Sequence, residues 1–144
     1  MDPGKQTKTV PSSSLVPAAR LSFMLTGAPD ELNSPFAVEI VVPDLAPVVA
    51  FYRSLGFRTE RETPGFVALR WADSYFFVAQ DPRATTGPRW ANIRLLVPDV
   101  DAVRARVRQL GLPVVSEIGD RSYGLRDFTV RDPAGFEVRF AQVL

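Results

Sequence analysis

The chemistry open to this chain of 144 residues is set first by two absences: it contains no histidine and no cysteine. Without imidazole it lacks the commonest general base near neutral pH and the commonest metal ligand. Without thiol it has no disulfides, no thiolate metal sites and no cysteine nucleophile. What remains is carboxylate, guanidinium, amine, phenol, hydroxyl and backbone. Four charged residues stand out because each interrupts a short apolar run: Glu39 in 36–42, Arg94 in 91–97, and Glu137 and Arg139 in 136–141. Charges in such settings are read either as internal ion pairs or as an arginine left to grip a ligand. A guanidinium does the latter by bidentate hydrogen bonds or by stacking on a planar group.

The elements that must position these residues follow from periodicity. Phe36 to Val42 is a short apolar run with β-branched residues and predicts a buried strand. Asp44 is placed to cap a helix whose stripe is Leu45, Val48, Val49, Tyr52 and Leu55, and Gly56 stands where that helix ends. Strands are predicted over 57–62, 66–71 and 75–79, with Pro64-Gly65 and Ala72-Asp73-Ser74 as the turns. The same series then recurs. A strand over 91–97 leads to the cap Asp99, to a stripe of Val100, Val103, Val107 and Leu110, and to Gly111. Strands over 113–118, 125–130 and 136–141 follow, the last preceded by the turn Asp132-Pro133-Ala134-Gly135.

The two series align without a gap at an offset of 55: pairing 36–57 with 91–112 gives eight identities in 22, from Val42/Val97, Pro43/Pro98 and Asp44/Asp99 through to Gly56/Gly111. Chance would give about one or two at average residue usage. The chain therefore carries an internal repeat of strand, helix and three strands. Residues 1–33 do not share this pattern. Met1 to Ser14 is rich in Pro, Ser, Thr and Lys and is expected to be a mobile tail, and Leu15 to Leu25 a short docked segment. The expected organisation is an extension over 1–33 and one domain over 34–142, built of modules 35–81 and 90–142.

Net charge is +1, so no bulk electrostatic grip on nucleic acid or an anionic membrane is expected. Arg104, Arg106 and Arg108 alternate with the apolar stripe of their helix and read as a solvated face. No apolar run approaches the roughly 18–20 residues of a membrane span. Pro17 and Arg20 interrupt the mildly apolar stretch after Lys5 and Lys8, so a secretory signal is not expected and a cytoplasmic location is.

A duplicated βαβββ unit resembles the vicinal oxygen chelate superfamily, which contains glyoxalase I, extradiol dioxygenases and bleomycin-binding proteins. The residues carrying the likeness are Val41-Val42-Pro43-Asp44-Leu45, Ala50-Phe51-Tyr52, Leu55-Gly56-Phe57, Tyr123-Gly124-Leu125-Arg126-Asp127-Phe128 and Asp132-Pro133-Ala134-Gly135. Together they are similar to the drug-resistance branch over residues 35–142. The resemblance implies an α+β fold of two tandem βαβββ modules, with curved mixed sheets forming a cleft and helices on the outer face. In metal-bearing relatives the first strand of each half supplies a ligand seven residues before the cap aspartate. Here those positions hold Ala37 and Asn92. The last strand supplies a glutamate seven residues after the turn aspartate, where this chain has Arg139, and the matching slot of the first half falls near Phe77. Methyl, amide, guanidinium and phenyl do not make a divalent metal site. No cofactor is therefore expected.

Strand alternation puts Ala37, Glu39 and Val41 on one face, with Asn92, Arg94 and Leu96 as their counterparts, and Glu137, Arg139 and Ala141 on the matching face of the last strand. That cleft face is expected to carry Glu39, Asn92, Arg94, Glu137 and Arg139, with Phe77, Trp71 and Tyr123 beside them. Glu39 and Arg94 hold equivalent places and are candidates for an ion pair, and Arg139 is the arginine expected to remain available. Phe66, Phe76 and Phe128 are expected in the core, Trp71 and Trp90 at a rim or interface, and Tyr123 on a mobile loop. The implied function is a non-catalytic binding protein, more a sequestering module than an enzyme, for a neutral or anionic aromatic compound or antibiotic. The alternative is a lyase- or dioxygenase-type enzyme, metal-free or with relocated carboxylate ligands. The expected partners are a small molecule and a second copy in a homodimer, with no nucleic acid and no membrane.

Overall fold

A computed structural model describes residues 36–88 and 91–144. The expectations for residues 1–33 and for Trp90 lie outside the described residues. The element order is β1 (Val38–Val42), α1 (Leu45–Leu55), β2 (Arg58–Thr63), β3 (Phe66–Trp71) and β4 (Ser74–Gln80), then β5 (Asn92–Leu96), α2 (Val100–Gln109), β6 (Val114–Asp120), β7 (Leu125–Arg131) and β8 (Glu137–Val143). Each half is one four-stranded mixed sheet, ordered β1-β4-β3-β2 and β5-β8-β7-β6. This is the tandem βαβββ arrangement. In each half the first strand pairs in parallel with the last, Glu39 opposite Phe77 and Arg94 opposite Arg139.

The helices begin where the sequence places them. Asp44 accepts from the Ala46 amide and Asp99 from the Ala102 amide, each satisfying a donor that the first turn leaves unpaired. Gly56 closes α1 in the left-handed region, at φ 110°, where a side chain would be strained. β6 runs to Asp120, two residues past the strand end expected at 118. Tyr123 sits in the short turn to β7, closed by the Gly124 amide donating to the Arg121 carbonyl.

The faces that carry α1 and α2 share a single core. Ile40, Val42, Val67, Leu69, Phe76 and Val78 of the first sheet join Val138, Phe140, Phe128 and Val130 of the second. Phe76 stacks on Phe136 with centroids 6.4 Å apart, and Trp71 meets Phe140 at 6.1 Å. Full burial of Leu69, Phe128 and Phe140 contributes about 1.5–3 kcal/mol each. Between the halves, the buried Tyr52 hydroxyl donates to Asp132 Oδ2 at 2.8 Å, and Asp132 Oδ1 accepts from the Ala134 and Phe136 amides. Burial pushes the Asp132 carboxyl above its ordinary value, and the surrounding donors offset part of that rise. Tyr52→Phe strands one buried carboxylate oxygen and is expected to cost about 1–3 kcal/mol. The check is the midpoint of urea unfolding at unchanged slope.

With both helix-covered faces turned into one core, the other face of each sheet looks outward. Any ligand-binding surface built from β1 and β4 therefore belongs to one sheet, and any built from β5 and β8 to the other.

Candidate functional site

The outer face of the first sheet is aromatic. Phe66, Phe77 and Tyr75 form a run on β3 and β4, with Phe66–Phe77 centroids at 5.4 Å and Tyr75–Phe77 at 6.4 Å. Arg61 lies over the Phe66 ring and Arg70 over Tyr75, at 5.2 and 5.4 Å. Ala68, opposite Phe77, is fully buried beneath these side chains. Glu39 is exposed next to Phe77 and makes no hydrogen bond or ion pair with any described residue. Phe66, expected in the core, thus lies half-buried on the outer face, while Phe76 and Phe128 are core residues. Trp71 lies on the helix side of β3, against Phe57 and Phe140, away from Glu39 and Phe77.

The outer face of the second sheet is polar and cationic. It brings together Asn92, Arg94, Glu137 and Arg139, with Thr129 and Asp127 of β7 beyond them. Arg139 Nε reaches Thr129 Oγ1 at 3.4 Å. Glu137 pairs with Arg131 at 2.9 Å, and not with Arg94 or Arg139. Asp127 is buried at 2% exposure and fully engaged: Oδ1 accepts from Arg121 Nε at 2.7 Å and Oδ2 from the Tyr123 hydroxyl at 2.6 Å. Burial works to raise the Asp127 carboxyl, but the bonds from Tyr123 and Arg121, with the nearby Arg139, hold it below the ordinary carboxylate range. The same bond to Asp127 raises the Tyr123 phenol, so Tyr123 stays protonated and its proton is committed inward.

The sequence-predicted residues therefore fall into two groups and one outlier. Glu39 and Phe77 are neighbours on one outer face. Asn92, Arg94, Glu137, Arg139 and Tyr123 lie on the other. The expected Glu39–Arg94 pair does not form in the chain. Sequence reasoning missed Asp127, Arg121 and Arg131, and it missed Tyr75 beside Phe77. The signal for Asp127 was present: a lone acid inside an apolar strand, four residues after a tyrosine.

The strand register makes Phe77 the first-half counterpart of Arg139, which completes the four positions that the family resemblance marks for metal ligands. Arg139 lies opposite Arg94, and its counterpart opposite Glu39 is Phe77. Those four positions carry Ala37, Phe77, Asn92 and Arg139, whose donor set does not fit a divalent cation. Among the described residues there is no group of three or more carboxylates, imidazoles or thiols that could hold one. A cavity of about 500 Å³ follows the open edge of β1, lined by Glu39 to Val42 with Ala91, Ala134 and Phe136. It is mainly apolar and separate from the arginine face. Among the described residues no helix is long and apolar enough to cross a membrane.

The family model described as Glyoxalase/Bleomycin resistance protein/Dioxygenase superfamily matches residues 35–140. Solved structures agree on the fold. The bleomycin resistance determinant encoded on transposon Tn5 superposes with a TM-score of 0.65 at 19% identity, over 76% of this chain and 98% of that one. The lactoylglutathione lyase of Agrobacterium tumefaciens gives 0.63 at 19% identity, over 76% and 92%. The fosfomycin resistance protein FosX of Listeria monocytogenes gives 0.64 at 14% identity, over 76% and 92%. No curated protein sequence matches the chain.

Proposed function

The chain belongs to the Glyoxalase/Bleomycin resistance protein/Dioxygenase superfamily, and from that premise we propose that it is a non-catalytic, cytoplasmic binding protein for a small molecule. The observation that carries this reading is the set of residues at the four metal positions. Ala37, Phe77 and Asn92 offer no charged donor, and Arg139 places a cation where a cation would have to bind. What the outer faces offer instead is an aromatic surface on the first sheet and a guanidinium surface on the second. The guanidinium surface suits a neutral or anionic compound and disfavours a cationic drug, and the aromatic surface suits a flat ring system.

Each outer face is open on its own, so the ligand's second wall comes from another copy of the chain. Val41, Leu96 and Val143 leave 42%, 62% and 67% of their surface exposed on these faces, and among the described residues β1 and β5 each end their sheet with an unpaired edge. A two-fold partner covers such edges and brings an aromatic face opposite a cationic one. Light scattering after size exclusion is expected to give twice the chain mass, and Leu96→Glu to shift the protein toward monomer. A monomer for the unaltered chain contradicts the shared cleft.

The binding reading is tested by isothermal titration of a chemically mixed panel of neutral, anionic and cationic aromatic compounds. Saturable binding is expected among the first two groups. Tight binding confined to cationic glycopeptides would refute the ligand-charge argument.

A further inference from the structure

The second sheet's outer face has an excess of cations that its own carboxylates do not answer. Four arginines, Arg94, Arg121, Arg131 and Arg139, share it with two carboxylates, Asp127 and Glu137. Asp127 spends one oxygen on Arg121 and the other on Tyr123, and Glu137 is held by Arg131. Arg139 keeps only the long bond from Nε to Thr129, and Arg94 makes no hydrogen bond or ion pair with any described residue. These two arginines are register partners on adjacent parallel strands, so their side chains leave the sheet together at a spacing of about 4.8 Å. Two like charges so placed repel each other, and among the described residues only Asp127, already bonded to Arg121 and Tyr123, acts against this from nearby. An anion set between them would relieve it.

The surroundings narrow the anion. Thr129 is buried and fixes the base of Arg139, so one guanidinium is presented with its outer nitrogens unspent. Two planar forks side by side match the two oxygens of a carboxylate. Beside them the exposed ring of Tyr123, pinned through its hydroxyl to Asp127, and the exposed Leu96, next but one to Arg94, offer apolar surface for a flat body. Tyr123 lies close to Arg139.

We infer that Arg94 and Arg139 form a two-guanidinium clamp for the carboxylate of a small aromatic acid whose ring lies against Tyr123 and Leu96. This inference rests on the small-molecule-binding reading above and goes beyond it in naming the ligand's charged group and the residues that grip it. Asn92 and Glu137 border the clamp. The Glu137–Arg131 pair, and the bonds from Arg121 and Tyr123 to Asp127, occupy the two neighbouring carboxylates.

The experiment titrates the full chain with benzoate, with its uncharged analogue benzamide and with inorganic phosphate. It uses the unaltered protein, Arg94→Gln, Arg139→Gln, Arg139→Lys and, as a surface control, Arg108→Gln on α2. Benzoate is expected to bind at least about tenfold more tightly than benzamide, and each glutamine variant at the clamp to lose about tenfold, the scale of a charge-assisted hydrogen bond. Arg139→Lys should recover only part of that loss, since it restores the charge without the fork. Arg108→Gln should bind as the unaltered chain does. Equal binding of benzoate and benzamide, or equal loss in Arg108→Gln, overturns the clamp. Phosphate binding as tightly as benzoate overturns the aromatic-acid assignment. If another compound of the mixed panel binds and ignores both arginines, the clamp fails while the binding reading stands. If nothing in either set binds, both fail.

Discussion

Gly135→Ala is expected to destabilise the protein by roughly 3–5 kcal/mol, combining backbone strain with overpacking. Gly135 sits at φ 91°, and a Cβ built there would run into the Gly87 carbonyl oxygen and carbon. Neither atom is the end of a flexible side chain. Both belong to the backbone of the segment between the modules, which is tied to this turn by the Gly87 amide donating to the Ala134 carbonyl at 3.1 Å. Relief therefore means moving the connecting chain off the turn. The same turn starts β8, and β8 carries Glu137 and Arg139, so the site should suffer with the fold. Against a typical total of about 5–15 kcal/mol this is a large fraction. Thermal unfolding should fall by about 10 °C or more, and a melting point within two or three degrees of the unaltered chain would mean that the turn and Gly87 are not packed this closely.

The second large effect is expected at Asp127. Replacing it with alanine removes the acceptor of Arg121 Nε and of the Tyr123 hydroxyl, on a face that already has more arginines than carboxylates, and leaves Arg121 its bond to the Glu117 carbonyl. Removing the acceptor of two donors at a buried position destabilises the fold, and the 30% exposure of Arg121 limits the loss by letting water screen its charge. The pH dependence separates this from a packing loss. The folded protein holds Asp127 below its unfolded value of about 3.9. Its stabilisation is therefore complete above that value and lost as pH falls through the lower, folded one. Asp132 acts in the opposite sense. Its folded value is raised, so the burden of its buried charge is present at neutral pH and is relieved as pH falls through that raised value. The Asp127→Asn variant should flatten the acid limb of the stability curve below about pH 4. An acid limb identical to that of the unaltered chain would show that Asp127 gains nothing from Arg121 and Tyr123.

Much of this fold is legible in the sequence because the signals are local and occur twice. Asp44 and Asp99 cap helices as read, both helical stripes are buried where expected, and the strands fall within a residue or two of their predicted bounds. Faces were harder to read than elements. The run Phe66-Val67-Ala68-Leu69-Arg70-Trp71 is apolar on both sides over its first four residues, so alternation alone does not say which parity faces the core. The structure puts Phe66, Ala68 and Arg70 outward, which carries Trp71 inward and Phe66 out of the core. The fourth strand was the opposite case: its register, open in the sequence, is fixed by Glu39 pairing with Phe77. Contacts between the halves left no local trace at all. Tyr52 and Asp132 are 80 residues apart, and nothing about either marks it as the other's partner. For the same reason, the sequence placed all the charged candidates on a single face, whereas the shared core divides Glu39 from Arg94 and Arg139.

A chain that binds an organic molecule, with Ala37, Phe77, Asn92 and Arg139 in place of metal ligands, should respond to organic ligands and not to cations. The most direct test is one thermal-shift series on protein purified without chelators and analysed for bound metal. The series sets Zn, Ni, Mn and Fe(II) beside a panel of small aromatic acids and amides. The expected result is no stoichiometric metal, no stabilisation by any of the four cations and a saturable rise in melting temperature with at least one of the acids. Stoichiometric bound metal, with a large shift on adding it back and none with the organic panel, would mean that the chain is a metal protein and not a binder of aromatic acids.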